Sequence, residues 1–159
     1  MSIRDNLVQM VSAWERLGRP AMLERFVLRN GKAYTPRNRI GRKGKAKECF
    51  SNAAQHVLQK AGGTYVEGFV IRKDFPLPLL HAWLTFHGDD AMDPTLDAKN
   101  YEYYGVAFDA LTLIRELVRN KHYGLLDTGL GLNARLIFEI DPGLKEIYNR
   151  IAQNHRSYA

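Results

Sequence analysis

The stretch "LLHAWLTFHGDDAMDPT", Leu79 to Thr95, decides how this chain is read. It runs as an apolar strand, a Gly-Asp-Asp turn and a short return strand. His81, Trp83 and Thr85 share one face of the first strand, while Ala82, Leu84 and Phe86 take the other. A plain hairpin needs neither a histidine at its start nor an Asp-Pro at its end. Register decides whether the two meet. A two-residue turn at Gly88-Asp89 sets Asp93 across from Leu84, on the far face. An odd-length loop or a β-bulge brings Asp93 to the face of His81.

Upstream of the hairpin lies "KAKECFSNAAQHVLQKA", with the only cysteine of the chain. Phe50, Ala53, Ala54, Val57, Leu58 and Ala61 fall on one helical face, and Gly62-Gly63 end the helix. "TYVEGFVI" alternates and is rich in β-formers, which makes it a strand, followed by a Pro-containing loop from Lys73 to Pro78. "YYGVAF" is a further strand, "DALTLIRELVRNK" a helix capped by Asp109, and "ARLIFEI" another strand. Asp141-Pro142 open a last helix that buries Leu144, Ile147, Tyr148 and Ile151. At the other end, Ser2 and Asp5 form a capping box for a helix with Ile3, Leu7, Met10, Trp14 and Leu17 at helical spacing. "MLERFVLRNGKAYTP" fits either a short helix or a hairpin turning at Asn30-Gly31. The class is α+β in a single domain, residues 1–159. Helices at 2–18, 109–121 and 142–155 flank a core at 48–108, where the cysteine helix packs on an antiparallel sheet.

Composition bounds the function classes. The 159 residues, 45% hydrophobic and 25% charged, suit one globular core. No apolar run is long enough for a bilayer and the N-terminus has no signal-peptide pattern, so a cytoplasmic protein without membrane partners is expected. A lone cysteine forms no internal disulfide and no multi-cysteine zinc site, and no HExxH motif is present; neither a metal nor a cofactor is expected. The net charge of +6 attracts anions in general. It concentrates in "RNRIGRKGKAK", where Arg37, Arg39, Arg42, Lys43, Lys45 and Lys47 face no acid, a stretch that reads as a solvated loop or as a site for an anionic partner.

Cys49 opens its helix, where free backbone N–H groups and the helix dipole favour an anion, and Lys45 and Lys47 add positive charge nearby. Both features favour the thiolate, which is the nucleophile. A cysteine in that position, a histidine that takes its proton and an aspartate that orients the histidine make a coherent set for acyl transfer. Pro94 stiffens the chain beside Asp93, and Trp83 can shield the pair from water. Taken singly, each residue has a plainer reading: a small buried hydrophobe, a half-buried histidine, a turn aspartate.

Cysteine at a helix start, then "HAW" on a strand, then "DPT", in that order, resembles the transglutaminase-like branch of the papain-like cysteine enzymes. The wider set "CFSNA", "YVEG", "HAW", "DPT" and "YYGV", roughly Glu48 to Phe108, also resembles an uncharacterised group of small bacterial and phage proteins. The resemblance implies a helix packed on an antiparallel sheet and a catalytic triad of Cys49, His81 and Asp93. Papain-like proteases carry a glutamine shortly before the cysteine; here that stretch is "RKGKAKE". The oxyanion hole then needs backbone N–H groups, such as that of Cys49, plus another donor from Asn52, Gln55 or Tyr65. Glu67, on the strand beside Tyr65, either faces solvent or contacts substrate. An amidase, deamidase or acyltransferase fits better than an endopeptidase, acting on a peptide, a protein or a small amide. Two other readings stand beside the enzyme. One is a basic nucleic-acid-binding module using the Arg37–Lys47 stretch with Tyr34 as a stacking group. The other is a catalytically silent relative serving as an interaction domain.

Overall fold

The structure, a computed structural model, describes residues 2–38, 41–59 and 62–156. Helices α1 (Ile3–Arg16) and α2 (Met22–Asn30) lead into strand β1 (Lys32–Arg37). The cysteine helix α3 (Cys49–Gln59) follows, then β2 (Thr64–Arg72), β3 (Phe75–Thr85) and β4 (Asp90–Met92). A 3-10 turn (Ala98–Asn100), β5 (Tyr101–Phe108), α4 (Ala110–Asn120), α5 (Ala134–Ile140) and α6 (Pro142–Arg156) complete the chain. The protein thus mixes helices with a mainly antiparallel sheet.

The sheet closes on itself in the order β1-β4-β3-β2-β5. β1 makes the closure, pairing antiparallel with β5 and parallel with β4. The short-helix option for "MLERFVLRN" is the one realised, and the chain turns at Gly31 into β1 rather than into a hairpin. Closure explains the pattern of β2, whose residues Tyr65 to Ile71 are buried on both faces. One face meets the barrel interior and the other meets helices, as expected of a strand covered on both sides.

The interior is filled by Tyr34, Val66, Val70, Trp83, Ala91 and Tyr103, drawn from all five strands. Trp83 lies edge-on to Tyr34 and Tyr103, with centroids 5.5 and 5.1 Å away. Gly68 and Gly105 face each other across β2 and β5. A Cβ at Gly105 would lie 2.6 Å from the Trp83 ring, so the glycine of "YYGV" makes room for the indole of "HAW".

The helices pack outside, where Leu7, Phe26, Ala53, Ala54, Leu113, Leu136 and Leu144 join the outward residues Tyr65, Leu84 and Phe108. α1 has its capping box, with the Asp5 amide donating to Ser2 Oγ at 3.2 Å and the Ser2 amide to Asp5 at 3.0 Å. "ARLIFEI" corrects an expectation: it is helix α5, not a strand. Asn133 Oδ1 accepts from the Leu136 amide at 3.3 Å, and Arg135 pairs with Glu139 at 2.8 Å, an i,i+4 contact that only a helix makes. The buried Glu116 of α4 binds Arg135, Arg115 and Asn133 and ties the two helices together. No helix of the described residues is long and apolar enough to cross a membrane.

Candidate active site

β3 and β4 share one ladder pair, Leu84 with Met92. This register is the odd-length loop, with Gly88 at its midpoint at φ +86°. One residue past Met92, Asp93 stands level with Trp83 and so on the face of His81. The Asp90 carboxylate sets this register. Its Oδ1 accepts from Thr85 Oγ1 at 2.8 Å, the Phe86 amide at 2.9 Å and the His87 amide at 2.8 Å, folding the turn back on the strand.

His81 Nε2 lies 2.7 Å from Asp93 Oδ2, with His81 5% and Asp93 0% exposed. α3 packs on β2 and β3 and places Cys49, half-buried at its first residue, close enough to the His81 side chain to raise its pKa. With Nε2 held by Asp93, Nδ1 is the ring nitrogen left for the thiol. The thiol of α3, the imidazole of β3 and the carboxylate after β4 therefore stand in one series, with His81 bound to Asp93 and close to Cys49.

Asp93 has two jobs. Its Oδ1 accepts from the Thr95 and Leu96 amides at 2.7 and 2.8 Å, the turn role open to any Asp-Pro-Thr. Its Oδ2 accepts from the Tyr103 hydroxyl at 2.8 Å and faces His81. Tyr103 is a residue that sequence reasoning missed; its parity on β5 with Gly105 was the available signal. Burial pushes the Asp93 carboxyl up, but the bonds and charge of His81 and the two amides hold it below its ordinary value. Burial pushes the Tyr103 phenol up, as does the charge of Asp93, so it remains a protonated donor. Burial alone would lower His81. Bonds to Asp93 and Cys49, with the negative charge of both, more than offset this, and the imidazole is pushed up to about 9. A histidine raised above its ordinary 6.5 stabilises the fold fully below that value, and the contribution is lost as pH climbs through about 9.

A test follows for Tyr103. Removing its hydroxyl leaves the full charge of Asp93 on His81. In Tyr103→Phe the His81 ring signals, followed by NMR, should titrate above the wild-type midpoint. The melting temperature should fall by roughly 2–4 °C, the effect of about 1 kcal/mol in a chain of this size. An unmoved midpoint would show that the phenol does not act through Asp93.

The other candidates are placed as follows. Asn52 gives its amide hydrogens to Lys45 O at 2.8 Å and Thr95 Oγ1 at 2.9 Å. Gln55, exposed on α3, donates to Ser51 and to the Tyr123 hydroxyl. Tyr65, buried, donates to Glu67 at 2.9 Å. All three side chains thus have their donors committed elsewhere. Glu67 neither faces solvent nor reaches a substrate: it is 0% exposed and accepts from the Leu125 and Leu126 amides at 2.7 and 2.9 Å. Trp83 is wholly buried in the barrel beneath His81.

The basic stretch divides. Arg37 lines a cavity with Phe86, His87 and Asp90, while Arg42, Lys43 and Lys45 line another beside α3. Lys47 is exposed, at φ +64°, and Arg39 lies outside the described residues. Tyr34, offered as a stacking group, is 5% exposed inside the barrel and presents no face to a base.

No family model, curated protein or solved structure matches the chain.

Proposed function

We propose that the protein is a cysteine-dependent acyl-transfer enzyme of the transglutaminase-like, papain-like type, acting on an amide or ester. The observation that carries this reading is the series from Cys49 through His81, which lies close to it, to the buried Asp93 bound at 2.7 Å, with His81 raised to about 9. Near neutrality a histidine so raised holds the proton. The packing of a cysteine-bearing helix on β2 and β3 is consistent with the implied architecture.

The chemistry runs in two halves. The thiolate attacks the carbonyl carbon and the carbon–sulfur bond forms. The backbone N–H groups at the start of α3 receive the developing oxyanion. The carbon–nitrogen or carbon–oxygen bond then breaks, and His81 gives its proton to the leaving group. Neutral His81 next takes a proton from water or an amine, which attacks the thioester. The acid or new amide leaves, and the thiolate–imidazolium pair is restored. Asp93 holds the ring with Nδ1 toward the sulfur throughout.

The test is acyl trapping with p-nitrophenyl acetate, read by intact mass and peptide mapping. One acetyl group should appear on Cys49 at least about tenfold faster than on free cysteine at pH 7, and hydroxylamine should remove it. Cys49→Ala should take up none. An unlabelled Cys49 in folded protein would falsify the reading.

A further inference from the structure

Arg42, Lys43 and Lys45 line a surface cavity of about 510 Å³ together with Glu48, Asn52 and Gln55. Glu48 precedes Cys49 and Asn52 lies one helical turn after it, so the cavity abuts the part of α3 that carries the sulfur. Its basic wall is tied to the site. The Gly44 amide donates to Pro94 O at 2.7 Å, within the turn that holds Asp93. Asn52 binds Lys45 on both sides, accepting from its amide at 3.2 Å and donating to its carbonyl, while also binding Thr95. Gly44 presses so closely on Asn52 that a Cβ there would lie 2.5 Å from the Asn52 side chain. The backbone beneath the three cations is thus anchored, although Arg42, Lys43 and Lys45 are themselves exposed.

We propose that this cavity is a subsite for a carboxylate on the acyl substrate, so that the enzyme prefers peptides or small amides bearing an acidic group beside the scissile bond; the inference rests on the acyl-transfer reading of Cys49. Three cations face one acid. Glu48 meets Lys45 at 3.9 Å with both side chains well exposed, a loose pairing that leaves Arg42 and Lys43 uncommitted to it. An arginine fork and a lysine suit a single carboxylate. Nucleic acid fits less well: the cations sit in a concavity shared with Glu48, and Tyr34 is sealed in the barrel.

The experiment separates the subsite from the chemistry by using Cys49→Ala protein. N-acetyl-glutamate methylamide and its glutamine counterpart are titrated by NMR at low and high salt. The acidic probe should shift the amide signals of Gly44, Lys45 and Asn52. It should bind about tenfold more tightly than the neutral one, with the difference shrinking as salt rises. Arg42→Gln combined with Lys43→Gln should abolish that difference. Equal binding of the two probes, no binding, or a difference untouched by the double substitution overturns the subsite. A short oligo-dT that competes and binds more tightly than the glutamyl probe overturns it in favour of nucleic acid. Each of these results leaves the acetyl trapping on Cys49 standing, and failed trapping leaves this titration readable.

Discussion

Asp93→Asn should cut acyl-transfer turnover on the order of 10⁴-fold, by the precedent of catalytic triads, while the protein stays folded. The asparagine keeps an oxygen for the Thr95 and Leu96 amides, so the turn survives. Its amide nitrogen replaces the oxygen that faced His81 Nε2 and the Tyr103 hydroxyl. The tyrosine hydroxyl can rotate and accept. The imidazole cannot donate to a donor, so its proton moves to Nδ1, the nitrogen that must serve the thiol. His81→Ala should cost at least as much. The double variant should cost little more than His81→Ala, because an orienting carboxylate has no task once the ring is gone. Kinetics on the four proteins decide it. If the two losses multiply, the residues act independently and the unit dissolves. If Asp93→Asn lowers only the melting temperature and leaves the turnover of the folded fraction intact, Asp93 is a turn residue alone.

Glu67→Ala carries the largest expected loss of stability. The carboxylate receives Tyr65 and the Leu125 and Leu126 amides in a fully buried setting. Its removal leaves the two buried amides unmet, at roughly 1–3 kcal/mol each, and leaves Tyr65 only its longer bond to Tyr123 O, so a loss on the order of 2–6 kcal/mol follows. That is a large share of what holds a domain folded. Burial pushes Glu67 up to about 7 despite those bonds. An acid raised in the fold stabilises it fully below its ordinary 4.5, and the contribution is lost as pH rises through about 7. Thermal melts at pH 5 and pH 8 should therefore show Glu67→Gln with a flatter pH dependence than the wild type, and Glu67→Ala well below both. A Glu67→Ala protein that melts with the wild type would remove the anchoring role from this carboxylate.

The local elements were legible where one segment carried its own signal. The α3 face of Phe50, Ala53, Ala54 and Val57, the "HAW" strand and the Asp109 cap needed no distant partner, although Leu58, read on the same face, is exposed and Ala61 lies outside the described residues. The register of the β3–β4 turn was not legible, because it hangs on three bonds to Asp90, a residue that reads as plain turn chemistry. Closure of the sheet was hidden for a related reason: β1 pairs with strands far along the chain, and nothing local announces a parallel partner. "ARLIFEI" misled because adjacent apolar and β-branched residues look like a strand, although Asn133 held the cap signal. Glu67 was legible as a carboxylate on a strand, but its amide partners lie 58 and 59 residues away.

The closed barrel also has a consequence in time. A ribosome that has made residue 93 has already made the thiol, the imidazole and the carboxylate. The tyrosine that steadies the carboxylate, and the strand that closes the sheet on β1, are still to come. A nascent chain therefore carries all three groups before the strand that encloses them exists. If the acyl-transfer reading holds, the set is complete in sequence at residue 93 but complete in space only once β5 has paired with β1 and β2.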